Sequence, residues 1–466
     1  MTHSQKAAFG LFISLFTCMI LGGCIKKKAE DPIHKDLPQL IDAGELTAVT
    51  LYSSTSYFEY RMQEMGYEYE LIKDFAQTHN LTLNLKIAEN SSRLIEMLLA
   101  GEANVVAYPI QVDNELKENV LYTGQERQSA QVLIQRSNRG DTILTDVTQL
   151  IGREVYLQAG TPYAQRLNNL NDELGGGILI RHIEKDTITT EDLIGMVSRG
   201  EIPYTVSDEM TARLNKTYHW NINLNLPVSF PQRASWIVSR QSPLLAAAID
   251  EWAEGQIGQQ SYRAVTKRYF ELSKQPYGGV TSAIQDGHIS PYDHLFKKYA
   301  PDLGWDWQLL ASIAFQESTF NPLAVSWAGA EGLMGIMPGT ARAFGVSPHE
   351  VKDPEISIQT SVRVLKNFRR RFENYDSEEE VIKLTLASYN AGVGHVYDAQ
   401  ILAEKIGKDP TVWDDNVSEG IRMKSDPQYY NDPDIKHGYL RATETLNYVY
   451  DVMNRYAFYK EATEEP

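Results

Sequence analysis

Glu317 occupies a position in the sequence that suits acid–base chemistry. It follows Ile313 by four residues and Leu310 by seven, so a helix would place it beside an apolar stripe. A carboxyl group beside apolar side chains loses hydration, which favours its protonated form and keeps a proton available near neutral pH. The alternative is an ordinary solvated glutamate near a helix end. The neighbouring motifs are needed to choose between a catalytic and an ordinary glutamate.

Residues 305–322 (WDWQLLASIAFQESTFNP) predict the helix that carries this carboxyl group. Asp306 is a plausible N-cap, and Asn321-Pro322 predicts the end, because proline disfavours the α region for the residue before it. Apolar side chains recur between these two signals with helical spacing, at Trp307, Leu310, Ala311 and Ala314.

A second helix is predicted to bring a phenol and an amide to the same region. It opens with a capping box at Ser377, and Gly392 favours a left-handed stop. Tyr389 and Asn390, near its end, have groups that can hydrogen-bond a carboxyl or a sugar acetamido group. Simple packing of Tyr389 is the alternative.

Four motifs occur in order: ESTFNP from Glu317, GLMGIMPGTA from Gly332, ASYNAGVG from Ala387 and ETLNY from Glu444. Together they resemble the lytic transglycosylase domain, which is related in fold to goose-type lysozyme. The resemblance implies a mainly α-helical domain with Glu317 as the catalytic residue, and it places Tyr448 behind the site or in the core. It also implies substrate contacts for Ser318, Ser326, Met334, Met337, Tyr389 and Asn390.

Gly335 departs from the family pattern, which usually has glutamine at this position. Glycine has no amide donor, so we expect a different substrate affinity or subsite preference, while the chemistry of Glu317 is retained. Glu331, the nearest downstream acid, is expected on the surface. We expect no catalytic metal and no cofactor, because the histidines lack ligand spacing: His349, His395 and His437.

Most glycosidases use two carboxylates, whereas these motifs supply one. The reaction of the lytic transglycosylase family is compatible with a single carboxylate. In that reaction Glu317 protonates the glycosidic oxygen between N-acetylmuramic acid and N-acetylglucosamine in peptidoglycan. It then acts as base on the C6 hydroxyl, which attacks C1 and leaves 1,6-anhydromuramoyl ends, as in a lyase. Two alternatives stay open, a lysozyme-like hydrolase on the same fold and a ligand-sensing lipoprotein that only binds glycan.

The first half of the chain alternates strand-like and helical segments, which is typical of a parallel α/β sheet. Residues 46–52 (LTAVTLY) and 81–88 (LTLNLKIA) are strand-like, and residues 68–79 are helical. The order of segments such as LIEMLLAGEANVVAYPI and EDLIGMVSRGEIPYTVSDEMTA resembles the amino-acid-binding type of periplasmic solute-binding protein. The resemblance implies two α/β lobes around a ligand cleft.

Ligand contacts carry over from that family only in part. Its carboxylate-binding arginine falls on Leu116, with Lys117 adjacent, while its ammonium-binding aspartate falls on Asp208 and its threonine on Thr161. Asp208 is equally suited to cap a helix. An arginine fork matches a carboxylate in a bidentate manner, so its loss argues against a free amino acid and favours a peptide, such as a muropeptide.

Residues 1–24 have the features of a secretory signal: Lys6, an apolar stretch from Ala7 to Leu21, and small residues before Cys24. Leu21-Gly22-Gly23-Cys24 resembles a bacterial lipobox, in which Cys24 is lipidated. An ordinary signal with a chance cysteine is the alternative. We expect an anchor at Cys24 that holds the protein to the outer membrane, on its periplasmic face.

Composition excludes several other classes. The chain of 466 residues exceeds the ~250–300 residues of a single core. Its net charge of −17 repels nucleic acid, and no apolar run after the leader approaches the ~18–20 residues of a membrane span. The predicted organisation is a signal peptide (1–23), a tether (24–37), a solute-binding-like domain (38–272), a linker (273–287) and a lytic transglycosylase domain (288–466).

Overall fold

The computed structural model describes residues 34–183, 188–274 and 288–463. The predicted signal peptide, Cys24 and all but the first two residues of the predicted linker lie outside the described residues. Within those three segments, no helix combines the length and the apolar character that crossing a membrane requires.

The strands belong to the first half of the chain. Their bounds are β1 (Glu45–Leu51), β2 (Phe58–Tyr60), β3 (Gln63–Met65), β4 (Thr82–Ala88), β5 (Val105–Gln111), β6 (Val120–Ser129), β7 (Gln131–Arg136), β8 (Glu154–Gln158), β9 (Leu179–Ile183), β10 (Tyr204–Asp208), β11 (Ile222–Pro227) and β12 (Gln232–Ser239).

Helices occur throughout and dominate after residue 288. Their bounds are α1 (Leu37–Ala43), α2 (Tyr67–Thr78), α3 (Ser91–Leu99), α4 (Pro162–Glu173), α5 (Thr190–Arg199), α6 (Glu209–Lys216), α7 (Pro243–Gln256), α8 (Gln260–Phe270), α9 (Asp293–Tyr299), α10 (Trp307–Ser318), α11 (Pro338–Ala343), α12 (Pro354–Arg369), α13 (Glu378–Ala391), α14 (Val393–Lys405), α15 (Ser418–Met423), α16 (Pro427–Tyr430) and α17 (Ala442–Thr463).

The front half forms two lobes, each built on its own sheet. The first lobe has the strand order β4-β1-β5-β12-β6, and the second has β10-β7-β11 with a separate β8-β9 pair. The chain crosses between the lobes at Ala130, between β6 and β7, and again at residues 228–231. The predicted arrangement of two α/β lobes followed by a helical domain is therefore confirmed.

The prediction of parallel sheets holds for only part of the strands. β1 is parallel to β4 and β5, and β8 is parallel to β9. In contrast, β12 is antiparallel to β5 and β6, and β7 is antiparallel to β10 and β11. The reason is connectivity: β12 re-enters the first sheet from the second lobe and not through a helical crossover, so nothing requires it to run parallel.

The helix that carries Glu317, α10, is buried on nearly every side, and not along a single stripe. Leu309, Leu310, Ala311, Ile313 and Ala314 are at most 1% exposed. The helix ends at Ser318, before the predicted Asn321-Pro322, because Thr319 and Phe320 adopt left-handed conformations with φ of 51° and 62°.

Three predicted caps differ in detail from the structure. Asp306 occupies the N-cap position of α10, but its side chain makes no capping hydrogen bond and instead accepts from Lys460 and Tyr456. Ser377 caps α13 by accepting from Glu380 N–H, but the Glu380 carboxylate accepts from Trp413 N–H, so only the serine half of the predicted capping box is present. Gly392 has φ 102° and ψ 139°, which is not the predicted left-handed stop, and α14 begins at the next residue.

The two lobes and the helical domain belong to one compact unit. A shared apolar cluster joins them, because Met65 and Trp236 of the first lobe belong to the same buried cluster as Ala330, Met337 and Tyr439 of the helical domain. This common core fixes the position of the first lobe relative to Glu317.

Candidate active site

Glu317 lies at the C-terminal end of α10, in a cleft of about 500 Å³. The cleft is bounded by α10, by the loop around Ser326 and by the N-terminal half of α17. Its side chain is only 6% exposed. The predicted helix and the predicted burial of the carboxylate both match the structure.

Tyr448 is a direct partner of this carboxylate, and not the background residue that the sequence suggested. Its hydroxyl donates to Glu317 Oε1 at 2.8 Å. Burial, and then the charge of Glu317, raise the pKa of Tyr448 well above its ordinary value, so the phenol stays protonated as a donor. The signal was the helical spacing of Glu444, Asn447, Tyr448 and Asp451, all of which line the cleft.

Tyr389 and Asn390 lie near Glu317 with different surroundings. The Tyr389 hydroxyl donates to Met334 O at 2.8 Å and lies 3.0 Å from the Ser361 hydroxyl, so it holds the Gly332–Met337 loop in place. Asn390 lines the cleft and accepts a hydrogen bond from Thr445 at 2.8 Å. Asn390 is thus one of the residues that line the cleft, whereas Tyr389 is not, and its bonds fit the packing alternative.

Of the other expected substrate contacts, only Ser326 lines the cleft, where its hydroxyl accepts from Ala330 N–H at 2.9 Å. Ser318 is fully buried, and its hydroxyl donates to the carbonyls of Ala314 and Leu333. Met334 and Met337 are also buried in apolar clusters. Because one residue along a helix is a turn of ~100°, Ser318 points away from the cleft that Glu317 faces.

Arg61 of the first lobe forms a bidentate ion pair with Glu317. Its Nη1 donates to Oε2 and its Nη2 to Oε1, both at 3.0 Å, and Nη1 also donates to Gly335 O at 2.9 Å. Burial lowers the pKa of Arg61, but Glu317, together with Tyr60 and Tyr448, more than offsets this and raises the pKa well above its ordinary value. Sequence reasoning missed this residue, since 256 positions separate it from Glu317.

Arg61 lies at the tip of a hairpin formed by β2 and β3, which we call the arginine hairpin (residues 58–65). Its two turn residues, Arg61 and Met62, have φ of 49° and 62°. A two-residue turn with positive φ at both positions usually contains Asn and Gly. Non-glycine residues in this region cost ~1–3 kcal/mol each and persist only where their surroundings hold them.

The helical domain holds the arginine hairpin along its length. Glu59 accepts a hydrogen bond from His437 at 2.9 Å through its side chain, and its carbonyl lies 3.1 Å from His395 Nε2. Tyr60 donates its hydroxyl to Glu444 at 2.9 Å, and Arg61 N–H donates to Ala391 O at 3.3 Å. The helical domain therefore holds three successive residues of the hairpin, Glu59, Tyr60 and Arg61.

The structure explains why position 335 is glycine, which the sequence pattern alone did not. Its φ is +61°, and a Cβ at this position would lie 2.1 Å from Glu317 Oε2. A side chain here would therefore displace the carboxylate from the place where it meets Arg61. A glutamine side chain at position 335 would thus compete for space with the Glu317–Arg61 pair.

The second lobe forms the opposite wall of the cleft, through Asp192 and Arg199 of α5 and through His219. Burial, and then Arg441 and Arg199, lower the pKa of His219 to about 4, so this wall presents a neutral imidazole. Arg441 of the helical domain forms an ion pair with Glu191 and stacks on the Tyr218 ring at 3.7 Å. This contact ties the second lobe to the helical domain.

A second cleft, of about 800 Å³, lies between the two lobes. Asp208 lines it and also caps α6, accepting from Thr211 N–H at 2.8 Å and from the Tyr163 hydroxyl at 2.9 Å. Both interpretations of Asp208 therefore fit its position. Leu116 also lines the cleft, whereas Thr161 caps α4 and is not among the lining residues.

The charge of the interlobe cleft is mostly acidic. Among the described residues that line it, Arg127 is the only lysine or arginine, and it is paired with Glu68, which also accepts from Trp236 Nε1 at 2.8 Å. The acids Asp113, Glu115 and Asp208 also line the cleft. No guanidinium among these lining residues is thus left for a ligand carboxylate.

Two family models match the chain in the order of its domains. The model of bacterial extracellular solute-binding proteins, family 3, matches residues 49–272. The model of the transglycosylase SLT domain matches residues 294–410, which include Glu317, Tyr389 and Asn390. Tyr448 lies beyond the matched region.

Two solved solute-binding proteins each align with about half of the chain. An ancestral cationic amino acid solute-binding protein aligns with a TM-score of 0.43 and 16% identity, over 50% of this chain and 99% of its own. The L-cystine solute receptor of Neisseria gonorrhoeae, unliganded and open, aligns with a TM-score of 0.42 and 14% identity, over 51% of this chain and 98% of its own.

Three relatives, each named membrane-bound lytic murein transglycosylase F, match most of the chain. The protein of Pseudomonas fluorescens is 29% identical over 96% of this chain and 89% of its own length. That of Desulfosudis oleivorans is 28% identical over 90% of both, and that of Shewanella woodyi is 29% identical over 96% and 90%. With both domain models matched in order and similarity along nearly its whole length, the chain is a homologue of the membrane-bound lytic murein transglycosylases F, with a transglycosylase SLT domain behind a family 3 solute-binding domain.

Proposed function

We propose that the chain is a peptidoglycan lytic transglycosylase in which Glu317 is the single acid and base. The observation that carries this proposal is the position of Glu317, which is nearly buried at a helix end and bound by Tyr448 at 2.8 Å. Asn390 and Ser326 line the same cleft, and the exposed Ser326 is available to a sugar acetamido group. The match to the transglycosylase SLT domain and the similarity to lytic murein transglycosylases support the reaction class.

The mechanism uses one carboxylate twice. Glu317 first donates its proton to the glycosidic oxygen between N-acetylmuramic acid and N-acetylglucosamine, and the substrate's acetamido group stabilises the oxocarbenium ion. Glu317, now a carboxylate, then removes the proton of the C6 hydroxyl as its oxygen attacks C1. Tyr448 remains protonated and donates to the carboxylate, which stabilises the charge that forms on it.

The products distinguish this mechanism from that of a lysozyme-like hydrolase. Purified sacculi digested by the mature chain without its lipid should release muropeptides with 1,6-anhydromuramoyl ends, because the C6 hydroxyl replaces water as nucleophile. Mass spectrometry should find these products one water lighter than the hydrolytic ones. Products with the full mass would favour the hydrolase, and absence of any cleavage would favour a protein that only binds glycan.

The interlobe cleft is the proposed site of a regulatory ligand, for which we favour a muropeptide. Its acids Asp113, Glu115 and Asp208 attract an ammonium group, while its lining arginine is already paired with Glu68. A volume of about 800 Å³ leaves room for more than a single amino acid. Closure of the lobes on such a ligand changes access to the Glu317 cleft, because the second lobe also walls that cleft.

Asp208→Asn tests the ligand assignment while retaining the helix cap, since Asn caps about as well as Asp. We expect muropeptides to bind the wild type by calorimetry, the variant to bind at least ~10-fold more weakly, and turnover to change on binding only in the wild type. Asp172→Asn, on the exposed side of α4, is the matched control. Binding that leaves turnover unchanged would make the front half a scaffold.

Lipidation of Cys24 is the proposed basis of membrane association. Leu21-Gly22-Gly23-Cys24 supports it, as do the lysines that follow, Lys26, Lys27 and Lys28, which can contact lipid headgroups. We place the anchored protein on the periplasmic face of the outer membrane, where peptidoglycan is within reach.

A further inference from the structure

Asp451 is an acid of the Glu317 cleft that the proposed mechanism does not use. Among the described residues, the acids that line this cleft besides Glu317 are Glu191, Asp192, Glu444 and Asp451. Glu191 is paired with Arg441, and Asp192 closes the capping box of α5. Glu444 accepts from the Tyr60 hydroxyl at 2.9 Å. These contacts account for three of the four acids and leave the role of Asp451 open.

A chain of hydrogen bonds holds Asp451 at the cleft. Arg455 Nη1 donates to Gln316 Oε1 at 2.9 Å, and the Arg455 guanidinium lies 4.3 Å from the centre of the Phe315 ring. With its oxygen engaged in this way, the Gln316 amide bonds to the Asp451 carboxylate through its nitrogen. A carboxylate has about four acceptor sites, so Asp451 remains able to accept from a ligand in the cleft as well.

The spacing along α17 places Asp451 about one sugar ring from Glu317. Tyr448, which donates to Glu317, precedes Asp451 by three residues on the same face of the helix. Three residues correspond to a rise of ~4.5 Å, which is close to the length of one sugar ring in a glycan. When the bond to be cleaved lies at Glu317 and the glycan follows α17, the neighbouring sugar lies beside Asp451.

The loop around Ser326 supplies apolar surface to the same cleft. Ala324, Val325 and Trp327 line it, and Val325 is 56% exposed, which leaves its methyl groups open to a ligand. A sugar ring has an apolar face of C–H groups and a polar edge of hydroxyls. A cleft that combines these apolar side chains with the carboxylate of Asp451 therefore matches both surfaces of a sugar.

We propose that Asp451 binds the sugar next to the cleaved bond by accepting hydrogen bonds from its hydroxyl groups. The proposal rests on the function proposed for Glu317, since that function places the cleaved bond. Hydroxyl donors to an ionised carboxylate form short, charge-assisted hydrogen bonds. An ammonium group of a stem peptide is a poorer match, because the positive charge of Arg455 acts at Asp451 and would repel it.

Asp451→Ala and Asp451→Asn test this contact in the soluble mature chain. We expect Asp451→Ala to bind an N-acetylglucosamine tetrasaccharide at least ~10-fold more weakly by calorimetry, because a charge-assisted hydrogen bond is lost. Asp451→Asn should give an intermediate affinity, since its amide oxygen still accepts, and it replaces the alanine variant if that variant does not fold. With sacculi, KM should rise by a similar factor while kcat stays within about 3-fold, because Asp451 does not touch the reacting atoms. Glu404→Gln, an exposed change on α14, should alter none of these quantities.

Binding and cleavage together separate this proposal from the proposed function. If no protein cleaves sacculi but Asp451→Ala still weakens tetrasaccharide binding, the reaction is misassigned and the sugar contact stands. If wild type and both Asp451 variants, all folded by circular dichroism, have equal affinity and equal KM, the sugar contact is refuted while the enzyme assignment stands.

The tetrasaccharide also distinguishes the two ligand chemistries, since it has hydroxyl groups but no ammonium group. Unchanged tetrasaccharide affinity combined with a raised KM for sacculi would overturn the hydroxyl assignment in favour of a stem-peptide ammonium. A wild type that cleaves sacculi but binds no tetrasaccharide at millimolar concentration would likewise contradict the proposal.

Discussion

Glu317→Gln should lower the rate of anhydromuropeptide formation by at least ~100-fold, because general acid–base catalysis of this kind contributes ~10²–10⁴-fold. Glutamine has nearly the same shape and still accepts from Tyr448, but it has no proton to donate to the glycosidic oxygen and cannot remove one from the C6 hydroxyl. The measurement is the initial rate of release of anhydromuropeptides from sacculi. Binding to sacculi and the unfolding midpoint serve as controls for an intact fold.

Because Glu317 is ion-paired with Arg61, the substitution must also be made in a variant that lacks Arg61. Glutamine leaves the buried Arg61 charge without its partner, which on its own costs stability. Comparing Arg61→Ala with the double variant Arg61→Ala/Glu317→Gln removes that effect. Glu331→Gln is the matched control, because Glu331 is the nearest downstream acid and is paired with Lys352 at 2.9 Å. Retention of more than a few per cent of turnover in the double variant would exclude Glu317 as the acid.

Cys24→Ala should transfer the protein almost completely from the membrane fraction to the soluble periplasmic fraction. Stable anchoring needs two signals, which two or more acyl chains supply by themselves, and the variant keeps only Lys26, Lys27 and Lys28. Each lysine near an anionic surface contributes ~1 kcal/mol, and salt screens this attraction. Fractionation in moderate salt followed by immunoblotting measures the result.

The lysines themselves provide the control for this experiment. Replacing all three with Gln should leave a lipidated Cys24 protein in the outer-membrane fraction, since acyl chains carry most of the binding free energy. Sedimentation of the Cys24→Ala protein with lipid after a carbonate wash would show that the anchor lies elsewhere in the chain.

Local patterns were enough to predict the elements of the fold. Helical spacing around Leu310 and strand-like runs such as residues 81–88 depend on neighbouring residues alone, so α10 and β4 lie close to their predicted bounds. The predicted ends were less accurate, because the left-handed Thr319 and the positive φ of Gly392 follow from contacts with the rest of the domain. The antiparallel direction of β12 depends on the route of the chain through the second lobe, which no local pattern records.

By itself, the sequence determined the catalytic candidate, its helix and the class of reaction, because Glu317 and the motifs around it are short and contiguous. Tyr448 could have been added from its helical spacing. Only the tertiary structure decided which residues bind that carboxylate, namely Arg61 and Tyr448. The Arg61 contact joins residues 256 positions apart through a hairpin whose turn is strained, and Gly335 matters because of the space that it leaves. Distances and volumes of this kind arise only when the lobes pack against the helical domain.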